Sequence, residues 1–342
     1  MRVGIVLNPS ASAATFAENA ALAEKHSLEA VWTANHVSSR DPFMCFTEAA
    51  RITNKIRMGP VAISPFELHP LKMANLLLTL NEMSNGRTDI VIGGGGETMI
   101  AMNLKPTFES MHPKMVPAVR ECIEFIKQAS PDKLLNFEGD VYQVHGYQPK
   151  WATQEPPRLY VAASKKRMMR MSAEVADGVM MSDGTLPMVK DSMEILKAGL
   201  AATGRSVEDF RINNLYAWHV KKDKDEAVHE ARRKLWVRGM LLPWYLEPFL
   251  SEADVQLVQD KMDSFMNAYF AESHEIEGVP ERILDALVEN VTLTGSVDEL
   301  DTLIGHLKEF EAAGLNEISL RIYDDVPEAI RLIGEEVIPA LR

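Results

Sequence analysis

Short apolar runs alternate with helical patterns along nearly the whole chain, and this alternation limits the fold more than any other feature of the sequence. The run Val3–Leu7 precedes helical spacing of apolar residues over Phe16–His26, and Ala30–Thr33 then repeats the apolar run. Runs that are apolar throughout and separated by helices are typical of a parallel sheet covered on both faces. We count eight such strand–helix units, more than the roughly five or six of an open doubly wound sheet. The sequence therefore predicts an α/β fold, a (β/α)8 TIM barrel.

The predicted strands are Val3–Leu7, Ala30–Thr33, Ile56–Ile63, Asp89–Ile92, Arg158–Ala163, Gly178–Met181, Arg211–Val220 and Glu317–Tyr323. The predicted helices are Phe16–His26, Pro42–Ile52, Pro70–Met83, Met115–Gln128, Lys166–Val175, Met188–Thr203, Asp298–Ala313 and Val326–Leu341. Ser296 and Glu299 have the spacing of a capping box. The segment Leu135–Gln148 predicts a hairpin that turns at Gly139. A long helical pattern from Asp223 past Ala271 predicts a helical insertion at about 225–290. No repeat or linker divides the chain, so we expect one domain over residues 1–342.

Charge and hydropathy exclude several classes of function. The net charge of −13 and the pI near 5.2 disfavour general binding to nucleic acid or anionic membranes, which requires a basic surface. No apolar run reaches the roughly 20 residues of a membrane span. The short apolar start is interpreted as a buried strand and not as a secretory signal, which leads us to expect a cytoplasmic protein. Cys45 and Cys122 are too few for a disulfide framework or a four-ligand zinc site, so we expect buried thiols and no metal centre.

The residues that follow each strand matter most, because barrel enzymes carry their chemistry at the carboxyl ends of the strands. His36 follows the second predicted strand through Ala34 and Asn35. A histidine in that position can relay protons near neutral pH, or it can be a structural residue satisfied by neighbouring groups.

Four consecutive glycines, Gly93–Gly96, follow the fourth predicted strand and are followed by Glu97. Glycines let the backbone approach a planar ligand closely, although a tight strand-to-loop turn would use them equally well. They are not a dinucleotide-binding fingerprint, because Thr98 stands where the third glycine would be. Glu97 is a candidate acid, or a plain surface carboxylate.

A basic segment opens the helix after the fifth predicted strand. Its residues are Ala162-Ala163-Ser164-Lys165-Lys166-Arg167, with Arg170 one turn further along. Cations at a helix amino terminus oppose the helix dipole, and a bound phosphate would offset that cost, so we predict a phosphate site at Ser164–Arg167. A solvated charged surface is the alternative. Aromatic residues of the insertion are predicted to make core or oligomer contacts and not a cofactor site: Trp236, Trp244, Tyr245 and Phe249.

Five segments resemble the bacterial luciferase-like superfamily of flavin- and deazaflavin-dependent oxidoreductases, and within it the methylenetetrahydromethanopterin reductase-like enzymes of coenzyme F420. They are Ala30-Val31-Trp32-Thr33-Ala34-Asn35-His36, Gly59-Pro60-Val61-Ala62-Ile63-Ser64-Pro65, Leu80-Asn81-Glu82-Met83-Ser84-Asn85-Gly86-Arg87, Gly93–Glu97 and Ala173-Glu174-Val175-Ala176-Asp177-Gly178. The resemblance covers nearly the whole chain.

The resemblance implies a role for each matching position. His36 matches a histidine that borders the tricyclic ring and transfers protons, and Glu97 matches an acid that follows the fourth strand. Val61-Ala62 falls where the superfamily has a non-prolyl cis peptide behind the ring. Two positions depart from the relatives: Ser164-Lys165 replaces Gly-Pro or Gly-Gly at the phosphate turn, and Asn35 replaces a common aspartate. The implied cofactor-binding residues are Asn35, Val61, Ala62, Gly94, Gly95, Gly96, Ala163, Ser164, Lys165 and Lys166.

The cofactor determines the reaction to expect. With F420 we expect hydride transfer to or from a small organic substrate. With FMN we expect a monooxygenase that uses reduced flavin and O2 and depends on a separate flavin reductase. A non-catalytic flavin-binding protein is a third possibility. In each case the resemblance implies a homodimer or higher homo-oligomer.

Overall fold

The computed structural model describes residues 1–95, 97–102 and 112–342. Its strands are β1 (Arg2–Leu7), β2 (Ala30–Ala34), β3 (Arg57–Val61), β4 (Asp89–Ile92), β5 (Leu135–Glu138), β6 (Gln143–Tyr147), β7 (Arg158–Ala162), β8 (Gly178–Ser182), β9 (Arg211–Lys221), β10 (Thr292–Ser296) and β11 (Glu317–Arg321).

The helices are α1 (Ala13–Lys25), α2 (Phe46–Ile52), α3 (Pro70–Met83), α4 (Glu97–Met102), α5 (Met115–Gln128), α6 (Lys166–Val175), α7 (Leu186–Ala202), α8 (Lys224–Arg233), α9 (Pro243–Leu246), α10 (Glu252–Asp260), α11 (Met262–Phe270), α12 (Glu281–Val291), α13 (Leu300–Ala312), α14 (Val326–Leu332) and α15 (Ile338–Ala340). Short 3-10 turns occur at His112–Lys114, Leu235–Val237, Gly239–Leu241 and Val297–Glu299, and one π turn joins α14 to α15 at Ile333–Val337.

The parallel strands form a barrel in the order β3-β2-β1-β11-β9-β8-β7-β4. Bridges from Met58 to Thr88 and from Ile63 to Ile92 bring β3 against β4 and close the barrel. The predicted (β/α)8 barrel is therefore confirmed. The predicted hairpin is also present, because β5 pairs antiparallel with β6 outside the barrel.

Local sequence signals explain where several helices begin. The Ser12 hydroxyl accepts a hydrogen bond from the Thr15 N–H at the start of α1. Pro70 occupies the first turn of α3, where its missing N–H costs nothing. The predicted capping box of Ser296 and Glu299 is confirmed ahead of α13.

Two regions differ from the prediction. The helical pattern from Asp223 onward is broken into short helices, and Met240 and Leu241 take left-handed backbone conformations between them. The helical periodicity is local, and these residues follow Gly239, so the chain turns sharply here. The strand β10, which is not among the predicted strands, pairs with the last five residues of β9. Because β9 extends beyond the barrel, the backbone N–H and C=O groups at its end would lack partners, and β10 supplies these hydrogen bonds.

Apolar residues fill three cores. Helices pack on the outside of the barrel in the largest core, and the insertion has its own core around Leu246, Phe265 and Leu287. Inside the barrel, Trp32 packs edge-on against Tyr160. Below them, the Tyr160 hydroxyl donates to Glu317, whose carboxyl pKa is raised by burial. These side chains close the amino-terminal end of the barrel.

Cys45 and Cys122 are buried free thiols, as predicted. Within the described ranges, every helix is too short or too polar to cross a bilayer. The described residues also contain no group of three or more histidine, cysteine or acidic side chains arranged to hold a metal ion.

Candidate active site

The candidate site lies at the carboxyl ends of the barrel strands. His36 follows β2, Ala62 follows β3, Gly94 follows β4 and Ser164 follows β7. These strands lie on a continuous arc of the parallel barrel, because β2 pairs with β3, β3 contacts β4, and β4 pairs with β7. The structure therefore brings these predicted site residues to one end of the molecule.

His36 is held by an arginine from the last barrel strand. Nη2 of Arg321 lies 2.9 Å from Nε2 of His36. A guanidinium can only donate, so Nε2 is the acceptor in this contact. The register of the sheet explains the contact, since Val6 of β1 pairs with both Trp32 of β2 and Arg321 of β11.

Asn35 is fixed next to the end of β3. Its amide nitrogen lies 2.8 and 3.0 Å from the two carboxylate oxygens of Glu67 and 3.4 Å from the carbonyl oxygen of Ala62. Both donors of the amide are thus directed toward β3, and the Oδ1 acceptor makes no hydrogen bond with a described residue. The peptide bond between Val61 and Ala62 is cis, as the resemblance implies.

Small side chains give the mouth of the barrel a flat apolar floor. Ala62, Gly93 and Ala162 meet there, because a Cβ atom added to Gly93 would lie 2.9 Å from the Cβ of Ala162 and 3.4 Å from that of Ala62. Ala62 and Ala162 are half-buried. Such a surface matches the shape of a planar ring, and a larger residue at position 93 would cover it.

The glycines after β4 are needed for different reasons. A Cβ atom at Gly94 would lie 2.2 Å from the sulfur of Met115, and Gly95 has a φ of +80° that favours glycine. Gly96 lies outside the described residues. Glu97 is the first residue of α4, but its side chain is outside the description, so its role as an acid stays a prediction.

The predicted phosphate turn joins β7 to α6. The helix begins without a side-chain cap, since Lys165 at its N-cap makes no capping hydrogen bond. The backbone N–H groups of the first turn are therefore available to an anion. Ala163 is buried below the turn, and Ser164 is exposed. Lys166, Arg167 and Arg170 are exposed and make no ion pair with any described residue, so this surface carries unbalanced positive charge.

The aromatic residues of the insertion contact this turn. The ammonium of Lys165 lies 3.6 Å from the ring centroid of Trp244, and the Ser164 side chain lies next to the phenol of Tyr245. Burial raises the pKa of the Tyr245 phenol. The sequence predicts core or oligomer contacts for these aromatics. That is correct for Trp236 and Phe249, which pack on the insertion core, and incomplete for Trp244 and Tyr245, which also support the site.

The luciferase-like monooxygenase family matches residues 1–317 of the sequence. The chain belongs to this family.

Individual relatives match the luciferase-like chain over nearly its full length. The 5,10-methylenetetrahydromethanopterin reductase of Archaeoglobus fulgidus is 27% identical over 328 residues, which are 94% of each protein. The solved structure of the coenzyme F420 dependent tetrahydromethanopterin reductase from Methanopyrus kandleri matches with a TM-score of 0.80 and 23% identity, over 100% of this chain and 99% of that one. An F420-dependent secondary alcohol dehydrogenase in complex with an F420-acetone adduct matches with a TM-score of 0.75 and 21% identity, over 100% of both chains. The resemblance seen in the sequence is thus confirmed, and the two structures show the same fold.

A buried ion pair follows β8, the strand that pairs with β7 in this luciferase-like barrel. Asp183, which follows β8, accepts from Nη1 of Arg238 at 2.8 Å and from the N–H of Gly239 at 2.9 Å. The two charged side chains are 2% and 1% exposed. Although burial alone would lower the pKa of Arg238, the adjacent Asp183 raises it above its ordinary value. This pair anchors the insertion to the rim of the barrel.

Tyr323 follows β11 and connects this ion pair to Arg321. Its ring lies 5.0 Å from the guanidinium of Arg321 and 5.6 Å from that of Arg238. The fully buried imidazole of His219 stacks on the same ring, with centroids 5.4 Å apart. Burial lowers the pKa of His219.

The residues predicted from the sequence include none that follows β1 or β8 or that ends β11. Asn8, Asp183 and Arg321 stand at or directly after the ends of β1, β8 and β11. The rule that pointed to His36 would have found Asn8 and Asp183. It would have missed Arg321, because the predicted last strand ran on to Tyr323, whereas β11 ends at Arg321.

Proposed function

We propose that this protein transfers a hydride between the deazaflavin coenzyme F420 and a small organic substrate. The observation that carries the proposal is the arrangement at the barrel mouth. A flat floor of small residues lies between an uncapped, cationic helix start on one side and His36 on the other. A planar ring, an anion and a transferable proton each have a suitable place within one site.

The residues present fit such a cofactor. Ala62, Gly93 and Ala162 would support the ring, and the Oδ1 atom of Asn35 would accept from a ring N–H. The N–H groups at the start of α6, together with Ser164, would hold the phosphate. Gly94 and Gly95 would allow the backbone to pass close to the ring.

The excess positive charge favours F420 over FMN. FMN ends in one phosphate, whereas the phosphate of F420 continues into a tail bearing several carboxylates. Lys166, Arg167 and Arg170 extend the basic surface along α6, past the first turn that a single phosphate would occupy. Relatives that are named for F420 support the same choice.

Bound F420 would supply hydride chemistry at its ring C5 and react little with oxygen. The contribution of this chain would be position and proton transfer. His36 is proposed to hold or accept the substrate proton, and Glu97 is proposed as a second proton carrier. The filled interior of the barrel below Trp32 would keep water from reaching the ring from beneath.

Titration of the purified protein with F420 and with FMN, at low and high salt, tests the proposal. We expect F420 to bind more tightly than FMN, and its affinity to fall more steeply with salt because more charges are paired. Replacing Lys166 and Arg167 by glutamine should weaken F420 binding by about tenfold, since each lost charge pair contributes up to about 1 kcal/mol. The matched control is Lys308→Gln, which removes an exposed cation from α13 and should leave binding unchanged.

An FMN-dependent monooxygenase, supported by the description of the matched family, is the second candidate. Tight binding of FMN without affinity for F420, and oxygen consumption when reduced FMN is supplied by a flavin reductase, would establish it in place of the first. If F420 binds but neither the wild type nor His36→Ala turns over any substrate offered, the third candidate, a non-catalytic binding protein, is correct.

We also propose that residues 1–342 act as one unit, in the cytoplasm, as a homodimer or higher homo-oligomer. Exposed apolar side chains around α2 support the association: Met44 is 59% exposed and Ile52 is 49% exposed. Large apolar residues in such positions mark surfaces that a second copy would cover.

A further inference from the structure

The amide of Asn35 is held in one of its two possible orientations by a neighbouring glutamate. Nδ2 of Asn35 lies 2.8 and 3.0 Å from the two carboxylate oxygens of Glu67, and 3.4 Å from the carbonyl oxygen of Ala62. A carboxylate and a carbonyl only accept hydrogen bonds, so both require the NH2 end of the amide. These neighbours therefore determine which end of the Asn35 amide is left for a ligand.

The carboxylate of Glu67 comes from a turn that is itself fixed. The backbone N–H of Glu67 donates to the carbonyl of Ser64 at 3.1 Å, and the Ser64 hydroxyl donates to the carbonyl of Gly94 at 3.1 Å. From α4, the hydroxyl of Thr98 donates to Oε2 of Glu67 at 3.3 Å. Glu67 is thus tied to the loop after β4 and to the first turn of α4.

The other end of the amide is open. Oδ1 of Asn35 makes no hydrogen bond with a described residue, and Asn35 is half-buried without Oδ1 being sealed from solvent. The nitrogen on the same amide carbon lies 3.4 Å from the Ala62 carbonyl, so Oδ1 stands at the edge of the small-residue floor. At this edge the site offers a hydrogen-bond acceptor.

We propose that Glu67 is a positioning residue for the cofactor: its carboxylate fixes the amide of Asn35 so that an acceptor faces the ring, and this selects a ring edge that carries an N–H. The inference rests on the proposed function, because it requires a planar cofactor on the floor. Glu67 acts through Asn35 and does not itself touch the ring.

The chemistry of the ring explains why the orientation matters. An oxidised deazaflavin carries a single ring N–H, at N3 between two carbonyl groups, and an oxidised flavin carries the same group. Oδ1 of Asn35 can accept from it. If the amide were reversed, its NH2 group would face another donor, and neither would be satisfied. The inference therefore applies to F420 and to FMN alike.

The test compares rings that differ only at N3. The affinities of 8-hydroxy-5-deazariboflavin, which has the ring of F420, and of riboflavin are measured by fluorescence titration, each with N3–H and with N3-methyl. The ratio of the two affinities is the readout, because the methyl group has the same bulk against every variant. Wild type should favour the N3–H form by at least about tenfold, from the hydrogen bond and the bulk of the methyl group together.

Two single substitutions disturb the orientation in different ways. Glu67→Gln has the same shape but both donates and accepts, so the amide of Asn35 can flip, and the ratio should fall by about three- to tenfold. Asn35→Asp places two carboxylates side by side, and their repulsion should weaken binding of the N3–H form by about threefold or more.

Combining Asn35→Asp with Glu67→Gln exchanges the two groups and should restore the site. The new amide at position 67 donates to the new carboxylate at position 35, whose second oxygen then faces the ring as an acceptor. The double variant should recover the wild-type ratio within about twofold. A merely structural role for Glu67 predicts no such recovery, because the second substitution would only add to the damage.

Glu18→Gln is the matched control, since it removes an exposed carboxylate from α1 and should leave the ratio unchanged. Melting curves for every variant show which of them fold. If Asn35→Asp alone does not fold, Glu67→Gln and the double variant decide the question.

The outcomes separate this inference from the proposed function. An equal ratio in wild type and Glu67→Gln, or a double variant with the ratio of Glu67→Gln, overturns the inference even where F420 binds tightly. A ratio for riboflavin that follows the variants as expected, together with no affinity for F420, contradicts the proposed function and supports the inference. If wild type binds neither ring, both are wrong.

Discussion

Breaking the ion pair between Asp183 and Arg238 should destabilise the protein strongly. The two side chains are 2% and 1% exposed and 2.8 Å apart, so removing one partner leaves the other as an uncompensated buried charge. Such losses cost about 3–5 kcal/mol. Asp183 also accepts from the N–H of Gly239, which adds about 1 kcal/mol when the carboxylate is removed. We expect Asp183→Ala to lower the free energy of unfolding by roughly 4–6 kcal/mol and Arg238→Met by roughly 3–5 kcal/mol.

A double-mutant cycle shows whether the pair itself is responsible. Asp183→Asn suits the cycle, because asparagine tolerates the left-handed conformation at this position, where φ is 53°, and keeps an oxygen acceptor for Gly239. Combined with Arg238→Met, it removes both charges together. The double variant should be more stable than the sum of the single losses predicts, by at least about 2 kcal/mol.

Urea denaturation followed by circular dichroism and by tryptophan fluorescence measures these differences. The control is Lys197→Gln, which breaks an ion pair whose side chains are 55% and 80% exposed and should change stability by less than about 1 kcal/mol. Single losses below about 1 kcal/mol, or losses that add within about 0.5 kcal/mol, would refute the argument that burial gives this pair its importance.

Three further predictions concern pH, the ring-binding floor and association. Burial lowers the pKa of His219 below its ordinary 6.5, so as the pH falls the unfolded chain binds a proton before the folded chain does. The free energy of unfolding should therefore decrease below about pH 6.5, by up to about 1.4 kcal/mol per pH unit. Denaturation curves at several pH values should lose this slope in His219→Phe. At Gly93, even an added Cβ atom would lie only 2.9 Å from the Cβ of Ala162, so Gly93→Val should weaken F420 binding by about tenfold or more in a fluorescence titration. Gly305→Ala is the control and should leave F420 binding unchanged, because a Cβ atom there meets no atom within 4 Å. Met44→Glu should shift the protein to smaller assemblies in sedimentation experiments, and an unchanged sedimentation coefficient would exclude α2 as the contact surface.

The sequence was sufficient to predict the barrel because its strands are short, apolar throughout and separated by periodic helices. Position in such a barrel then placed His36 and Ser164 at one end, and the family resemblance added Ala62. These predictions depend on the local pattern of neighbouring residues and on the general geometry of parallel strands, and they require no knowledge of long-range contacts.

Long-range contacts could not be obtained in the same way. Arg321 meets His36 only because β11 pairs with β1, and β1 with β2, so their contact spans 285 positions in the sequence. Trp244 reaches Lys165 through an insertion whose path is set by left-handed residues at Met240 and Leu241. Nothing in the helical periodicity of that region indicates where the chain turns.

The central claim is that a planar cofactor lies on the floor formed by Ala62, Gly93 and Ala162 with its phosphate at the start of α6. A crystal structure of the protein with bound F420 tests it most directly. We expect the deazaflavin ring against these three residues, and the phosphate within hydrogen-bond distance of the first backbone N–H groups of α6. Density for the ring at any other place, or a phosphate away from Ser164 and Lys166, would contradict the account.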